Sequence, residues 1–362
     1  MQAFFIIQVY YLIMIQRQLA VSKNERDELK PFDGPVSVIV CARNEAKNLA
    51  ENLPYLFSQK GINFEVVVVN DCSHDNSHDV LRELKKEFPT LKIVEKEEHP
   101  RFKTGKKFAV TLGIKAAAHE ILVFTDADCR PGSDEWLQAM CQHYTNPKTE
   151  LVLGYSPYTK YKGLLSLLIC YETFQTALNY FSFAMNGMPY MGVGRNMSYK
   201  KELFFRNEGF ATHMHIPSGD DDLFVNQNAT PINTALEFSQ QSHVISEPKR
   251  TWKEYWNQKL RHLGAGKAYK KKHQQQLTLL NGSAIGFYVF AIVCLILKVE
   301  PVYVGILFAL RLTVQLITNF KSLQKLSYAN LAKWVVILDP LYYLMMLALT
   351  VRGLFRKRIR WK

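Results

Sequence analysis

No two of the six cysteines, at 41, 72, 129, 141, 170 and 294, form a CxxC pair, and their spacing matches no small secreted framework. A disulfide-stapled domain is therefore not expected, and reduced thiols in a cytosolic body are. Zinc-finger spacing and RNA-binding aromatic signatures are missing too, so nucleic acid is not an expected partner. The turn after the first strand-like run, CARNEA, contains no glycine. That weighs against the glycine-rich phosphate loop of a nucleotidyltransferase. There is no internal repeat and no low-complexity tract. The first apolar run has neither the basic residues before it nor the small residues after it that a signal peptide needs.

What is present is apolar and basic. Hydrophobic residues make up 48% of the 362 positions and charged residues 21%, enough for a packed core. A formal charge of +13 suits an anionic partner. Nine Lys/Arg between 249 and 273 face only Glu254, and Arg356, Lys357, Arg358, Arg360 and Lys362 form a terminal run. Both clusters adjoin apolar segments, so acidic lipid headgroups are the expected partner.

Residues 3–15 (AFFIIQVYYLIMI) precede Arg17. Thirteen helical residues cover about 20 Å of a roughly 30 Å hydrocarbon core, so residues 1–20 are expected to form an incomplete or tilted anchor. Residues 284–297 and 301–318 read as a membrane hairpin, and 334–351 as a third stretch broken by Asp339 and Pro340. Arg311 and Asp339 are expected to face other helices or a watery path, because lipid would make either costly. The positive-inside rule assigns residues 20–280, the 321–333 loop and the basic tail to the cytoplasm. A single crossing by 334–351 conflicts with that placement of the tail; a re-entrant or interfacial segment does not.

Between these ends, strand-like and helix-like patterns alternate. Residues 36–41 (VSVIVC), 64–70 (FEVVVVN), 91–95 and 121–125 (ILVFT) are short apolar or β-branched runs; 44–58, 77–88 and 106–118 have helical spacing. That alternation predicts an α/β fold, a mostly parallel Rossmann-like sheet covered by helices on both faces. Ligands in such sheets sit at the carboxyl ends of strands.

Three acidic sites lie where that rule places a ligand. Asp71 follows VVVVN, with Ser73, Asp75 and Ser77 beyond it. It could accept hydrogen bonds from a ribose or base, or simply cap the following helix, a role open equally to Asp75 or Asn76. Asp126 and Asp128 end the ILVFT strand, and two carboxylates so close call for a hard divalent cation, Mg2+ or Mn2+. Asp220, Asp221 and Asp222 follow Ser218 and Gly219. They could supply a general base of raised pKa or decorate a helix N-terminus. Finally, 249–263 (KRTWKEYWNQKLRHL) places Trp252, Tyr255, Trp256, Leu260 and Leu263 on one helical face. Gln258, Arg261 and His262 fall largely on the other. An interfacial amphipathic helix is expected, with Arg261 apt for a diphosphate.

Taken in order, these sites resemble family 2 of the inverting GT-A glycosyltransferases, over roughly residues 34–265. The opening run to Ala42, Arg43, Asn44 and Glu45 matches the segment that holds the nucleotide's base and ribose. Asp71 matches a nucleotide-binding aspartate, Lys106 the Gly-Lys segment near the donor, and Asp126 and Asp128 the DxD motif. Residues 191–197 (MGVGRNM) resemble the acceptor-side glycine-rich stretch, and Asp220 and Asp221 the segment that carries the base, placed on Asp221. Gln258, Arg261 and His262 resemble the Gln-x-x-Arg-Trp motif, with His262 in place of Trp.

The resemblance implies a membrane-bound, metal-dependent enzyme with interfacial and transmembrane helices. Its donor would be a UDP- or GDP-sugar, its acceptor lipid-linked or glycan. Domains are expected at 1–20 (anchor), 34–248 (GT-A catalytic), 249–275 (interfacial), 283–351 (transmembrane) and 352–362 (basic cytoplasmic tail). The chain should be multi-pass, with its catalytic domain in the cytoplasm. A nucleotidyltransferase and an inactive scaffold on the same fold are the competing expectations.

Overall fold

The structure is a computed structural model that describes residues 1–23, 29–97, 105–216, 218–262 and 264–355, with the side chains of 262, 354 and 355 also left aside. The basic tail at 356–362 and Leu263 lie outside the described residues. The chain forms two compact units: residues 24–159 with 191–247, and residues 1–23 with 160–190 and 248–359.

In the first unit a seven-stranded sheet runs in the order β3-β2-β1-β4-β7-β6-β8. The strands are β1 (Val36–Ala42), β2 (Phe64–Asp71), β3 (Leu91–Lys96), β4 (Ile121–Asp126), β5 (Cys129–Pro131), β6 (Leu151–Leu153), β7 (Met197–Lys200), β8 (Thr234–Leu236) and β9 (Val244–Ser246). Strands β1 to β4 pair in parallel, β7 runs antiparallel to β4 and β6, and β5 pairs with β9 in a separate ribbon. Mostly parallel pairing matches the near-continuous apolar runs read from sequence, because each central strand is covered on both faces. Val38, Val40, Val66 and Val68 join Leu49, Leu53, Leu81 and Leu84 in one core. Each such burial contributes roughly 1.5–3 kcal/mol.

The opposite face carries the helix Lys106–Ala116. At Gly113 a Cβ would stand 2.7 Å from Ile39 Cγ2, so glycine lets this helix lie directly on β1 and β2. The chain leaves β1 for β2 and β3, then returns to β4 on the other side of β1. The strand order therefore reverses between β1 and β4, and a crevice opens at their carboxyl ends.

Among its described residues the second unit has four helical runs long and apolar enough to cross a membrane: Gln2–Val21, Lys271–Ile296, Pro301–Lys325 and Ala329–Gly353. The N-terminal run exceeds the thirteen residues counted from sequence. A π-helical turn at Tyr11–Gln16 joins Gln2–Tyr10 to Arg17–Val21, so polar Gln2, Gln8 and Gln16 are carried within one helix. Trp334 ends a 3-10 turn, and residues 335–351 lie within a helix that continues through Asp339 and Pro340. The helix Leu164–Met185, assigned from sequence to the catalytic stretch, belongs to this unit as well.

Arg311 and Asp339 meet inside this unit, Arg311 Nη1 lying 2.8 Å from Asp339 Oδ2. Asp339 also accepts hydrogen bonds from the Tyr171 hydroxyl at 2.5 Å, Gln315 Nε2 at 2.7 Å and the Tyr288 hydroxyl. Arg311 Nη2 reaches Gln8 Oε1 at 2.9 Å. One buried ion pair thus ties five helices together.

The Trp252–His262 helix is less superficial than its stripe suggests. Tyr255 and Leu260 are buried while Trp252 is exposed. The Tyr255 hydroxyl donates to Glu172, whose other oxygen meets Lys259 Nζ at 2.7 Å. Packing against Leu164–Met185 has claimed part of the face expected to lie in the interface.

Candidate active site

The crevice at the ends of β1 and β4 is acidic. Asp126 is the last residue of β4 and sits in register with Cys41 of β1. Lys106, at the start of the Lys106–Ala116 helix, places its Nζ 2.8 Å from Asp126 Oδ1 and 3.1 Å from Asp220 Oδ2. Two sequence sites more than 90 residues apart are therefore bridged by one ammonium. Burial disfavours that charge, but Asp126, Asp220 and Asp221 outweigh it and hold Lys106 well above the usual lysine range. A small cavity beside it is lined by Cys41, Lys106, Thr125, Asp126, Gly194 and Asp220 among others.

Asp221 precedes the helix Asp222–Asn228 and caps it. Its Oδ1 accepts the Asp222 amide at 2.7 Å, and its Oδ2 the Gly194 amide at 2.8 Å. The helix-cap reading of the acidic triplet therefore holds for this residue, whose carboxylate also acts on Lys106. Burial and the neighbouring Asp220 raise its pKa, against the opposing pull of Lys106 and the two amides. At Gly194 a Cβ would come within 3.2 Å of Asp221 Oδ2, so glycine is what lets the backbone amide approach. The loop that leads to Asp220 is gripped by Lys107, whose Nζ donates to the carbonyls of His213 at 2.6 Å and Ile216 at 3.1 Å.

Asp126, Asp128 and Cys129 bring one donor atom each to within 4.8 Å of one another. Burial, and then Asp128 and Asp126, push the Cys129 thiol well above the ordinary range, so it stays protonated and its Sγ lies 3.4 Å from Asp128 Oδ1. What remains is a pair of hard carboxylate donors. Lys106 is the cation that contacts Asp126 and Asp220. A Mg2+ or Mn2+ ion would suit the Asp126 and Asp128 pair.

Asp71 is placed differently from the expectation of an open nucleotide contact. It is buried at the end of β2 and paired with Lys96 of β3, likewise buried. Strands β2 and β4 flank β1, so Asp71 and Asp126 stand two strand spacings apart, roughly 10 Å. Asn44 adopts a left-handed backbone, φ 56°, and its Oδ1 accepts the His74 amide at 2.7 Å. The amides of Asn44, Glu45 and Ala46 donate to Ser73, Ser77 and Asp75. The loops after β1 and β2 are thus laced together just beyond Ala42, and Asp75 also holds the Ser77 amide at the head of Ser77–Glu87. Gln258, Arg261 and His262 lie on the Trp252–His262 helix of the other unit.

Arg195, Lys107 and Lys96 stand out in the structure but not in the sequence. Arg195 stood inside the flagged 191–197 segment with no role attached, and Lys107 inside the GKK run. Nothing in sequence joins Lys96 to Asp71; strand pairing alone does.

Comparison with known proteins now decides the family. The Glycosyl transferase family 2 description matches residues 37–185, and Glycosyl transferase family group 2 matches residues 121–355. The chain belongs to glycosyltransferase family 2. Among curated relatives, 4,4'-diaponeurosporenoate glycosyltransferase of Staphylococcus haemolyticus is 29% identical over 146 residues, 40% of this chain and 38% of that protein. Glycosyltransferase AglE of Haloferax volcanii is 28% identical over 175 residues, 48% of this chain and 53% of that protein. The chain therefore spans about two-fifths to one-half of the relatives it matches. A mannosyltransferase from Pyrobaculum calidifontis, solved in complex with GDP-Man and Mn2+, aligns with a TM-score of 0.63 at 18% identity, covering 98% of this chain and 97% of that one. The likeness shows a shared GT-A fold.

Proposed function

We propose that this family 2 chain is a membrane-associated inverting glycosyltransferase that moves a sugar from a UDP- or GDP-sugar to an acceptor hydroxyl on a lipid-linked or glycan acceptor. The observation that carries the reading is the meeting of Asp126, Asp220 and Asp221 around Lys106 at the strand-order switch.

In this reading Asp221 is the general base. Held by the Gly194 and Asp222 amides, it takes the proton of the acceptor hydroxyl, whose oxygen forms the new bond to the anomeric carbon. The bond from that carbon to the diphosphate breaks as the nucleoside diphosphate departs with the electron pair, and configuration inverts. Asp220 helps keep the Asp221 pKa raised, and Lys106 offers a fixed positive charge near the leaving group. Asp126 and Asp128 would hold Mg2+ or Mn2+, which when bound supplies Lewis-acid neutralisation of the diphosphate. Asp71, Ala42, Asn44 and Glu45 form the nucleotide end; for Asp71 this requires Lys96 to share or release it. The motif of Gln258, Arg261 and His262 is assigned to donor binding on resemblance alone.

Four apolar helices support a multi-pass chain in the membrane. If all four cross, the body between Val21 and Lys271 and the Lys321–Lys333 connection lie on one side, the cytoplasmic side by their positive charge. The basic tail then falls opposite. The test is nucleoside diphosphate release by the detergent-purified chain from a panel of UDP-, GDP- and dTDP-sugars, with and without Mn2+. Metal-dependent release from one donor class is expected. Silence across the panel, with nucleotide still bound, would favour the inactive scaffold instead.

A further inference from the structure

Arg195 is a strongly basic side chain near the carboxylate cluster that the mechanism leaves unused. Its backbone is fixed on both sides. The preceding Gly194 donates its amide to Asp221. The following Asn196 is fully buried: its Oδ1 accepts from Trp136 Nε1 at 3.0 Å, and its Nδ2 donates to the carbonyls of Tyr155 at 2.6 Å and Ser242 at 2.8 Å. The guanidinium lies on the Tyr158 ring, 4.4 Å from its centroid. Nη1 donates to the Tyr158 hydroxyl at 2.7 Å, and Nη2 reaches the Ser156 carbonyl at 3.3 Å. Stacking on an aromatic face fixes the plane of the fork as well as its position.

Its hydrogen bonding is incomplete. A guanidinium offers five N–H groups, and Arg195 Nε is shielded from solvent without a partner. Among the described residues no carboxylate forms an ion pair with Arg195; Asp126 and the Cys129 thiol act on it only through space. A charge held in a pocket without a contacting counter-ion is costly unless an anion arrives from outside. Arginine's planar fork matches the oxygens of a phosphoryl group.

We propose that Arg195 binds a phosphoryl oxyanion in this site, either of the donor's diphosphate or of a phosphate-bearing lipid acceptor; the inference rests on the transferase reading. The alternative is a purely structural arginine that only fastens Tyr158 and Ser156 to the 191–197 segment.

The two are separated with the full chain in detergent. Dissociation constants are measured for UDP and GDP with Mn2+, and separately for a short-chain polyprenyl phosphate, in wild type, Arg195→Met and Arg195→Lys, alongside melting temperatures. Arg195→Met should weaken one of the two ligand classes about ten-fold or more, the worth of a charge-assisted hydrogen bond. The class that weakens identifies the source of the phosphate. Arg195→Lys should recover only part of the loss, because it restores charge without the fork. Binding of both classes by Arg195→Met within two-fold of wild type overturns the proposal. If that variant does not fold, wild-type affinity for both in Arg195→Lys overturns it equally. Wild-type chain that binds neither UDP nor GDP would instead overturn the transferase reading and this inference with it.

Discussion

Among the described residues, two of the regions that bury charge do so to opposite ends. In the helical unit, Asp339 has four donors on its two oxygens, and Arg311 gives both Nη groups to partners, leaving only its Nε unpaired. The anion there has no capacity to spare, so the network can fasten helices but not greet a ligand. In the α/β unit, Lys106 bridges Asp126 and Asp220, while Arg195 donates to Tyr158 and Ser156. Saturated charge is architecture; carboxylates gathered round one lysine at a strand-order switch are a candidate binding site. The same residue types in sequence do not announce which they are.

Changes in the open region should cost activity with little loss of fold. The largest effect is expected for Asp221→Asn, which should lower transfer about 10³-fold while nucleoside diphosphate affinity persists. Turnover near wild type would remove Asp221 from the role of base. The pH profile carries a matching sign. The base must be deprotonated to act and its pKa is raised, so activity should fall with acidification at a pH above the usual carboxylate range. Next in size, Asp126→Asn or Asp128→Asn should cut Mn2+-dependent turnover on the order of 10²-fold. Unchanged metal dependence in both variants would break the assignment.

The closed region should respond in stability. Asp339→Leu strands Arg311 and is expected to cost about 3 kcal/mol, read as a lower unfolding midpoint in detergent; the double change with Arg311→Leu should regain most of it. A double variant no better than the single would mean that the pair is not the unit of stability. Smaller still, Gly194→Ala pushes a methyl towards Asp221, and kcat should drop about ten-fold with donor KM within two-fold.

The smallest effect concerns Lys107. Burial, against the pull of Asp220, Asp222 and Asp221, brings its pKa down to about 8 from 10.5. Between those values the unfolded chain binds more protons at this residue, so its contribution to stability improves as pH rises through that window. The melting temperature of wild type relative to Lys107→Met should gain about 2–4 °C from pH 8 to 10. A constant difference would argue against the depressed value.

Much of this was legible beforehand. Strands 36–41, 64–70, 91–95 and 121–125 were placed to within one residue at each end, because β-branched runs between helical periods admit few other readings. Asp126 was legible as an acidic residue at a strand end, and the acidic triplet as a helix N-terminus. Lys106 was found through its Gly-Lys context, although its grip on both Asp126 and Asp220 was not. The N-terminal helix was read short, since a count of apolar residues stops at glutamines that neighbouring helices can satisfy: Gln8 with Ser283 and Arg311, Gln16 with Asn179.

Local pattern alone determined the α/β character, the apolar helices and the candidate carboxylates, because periodicity and residue chemistry act over a few positions. Tertiary structure alone decided who neutralises whom. Asp71 went to Lys96, Asp339 to Arg311, and Arg195 to a tyrosine face without an anion. Coulomb energy depends on distance through space, and distance along the chain does not reveal it.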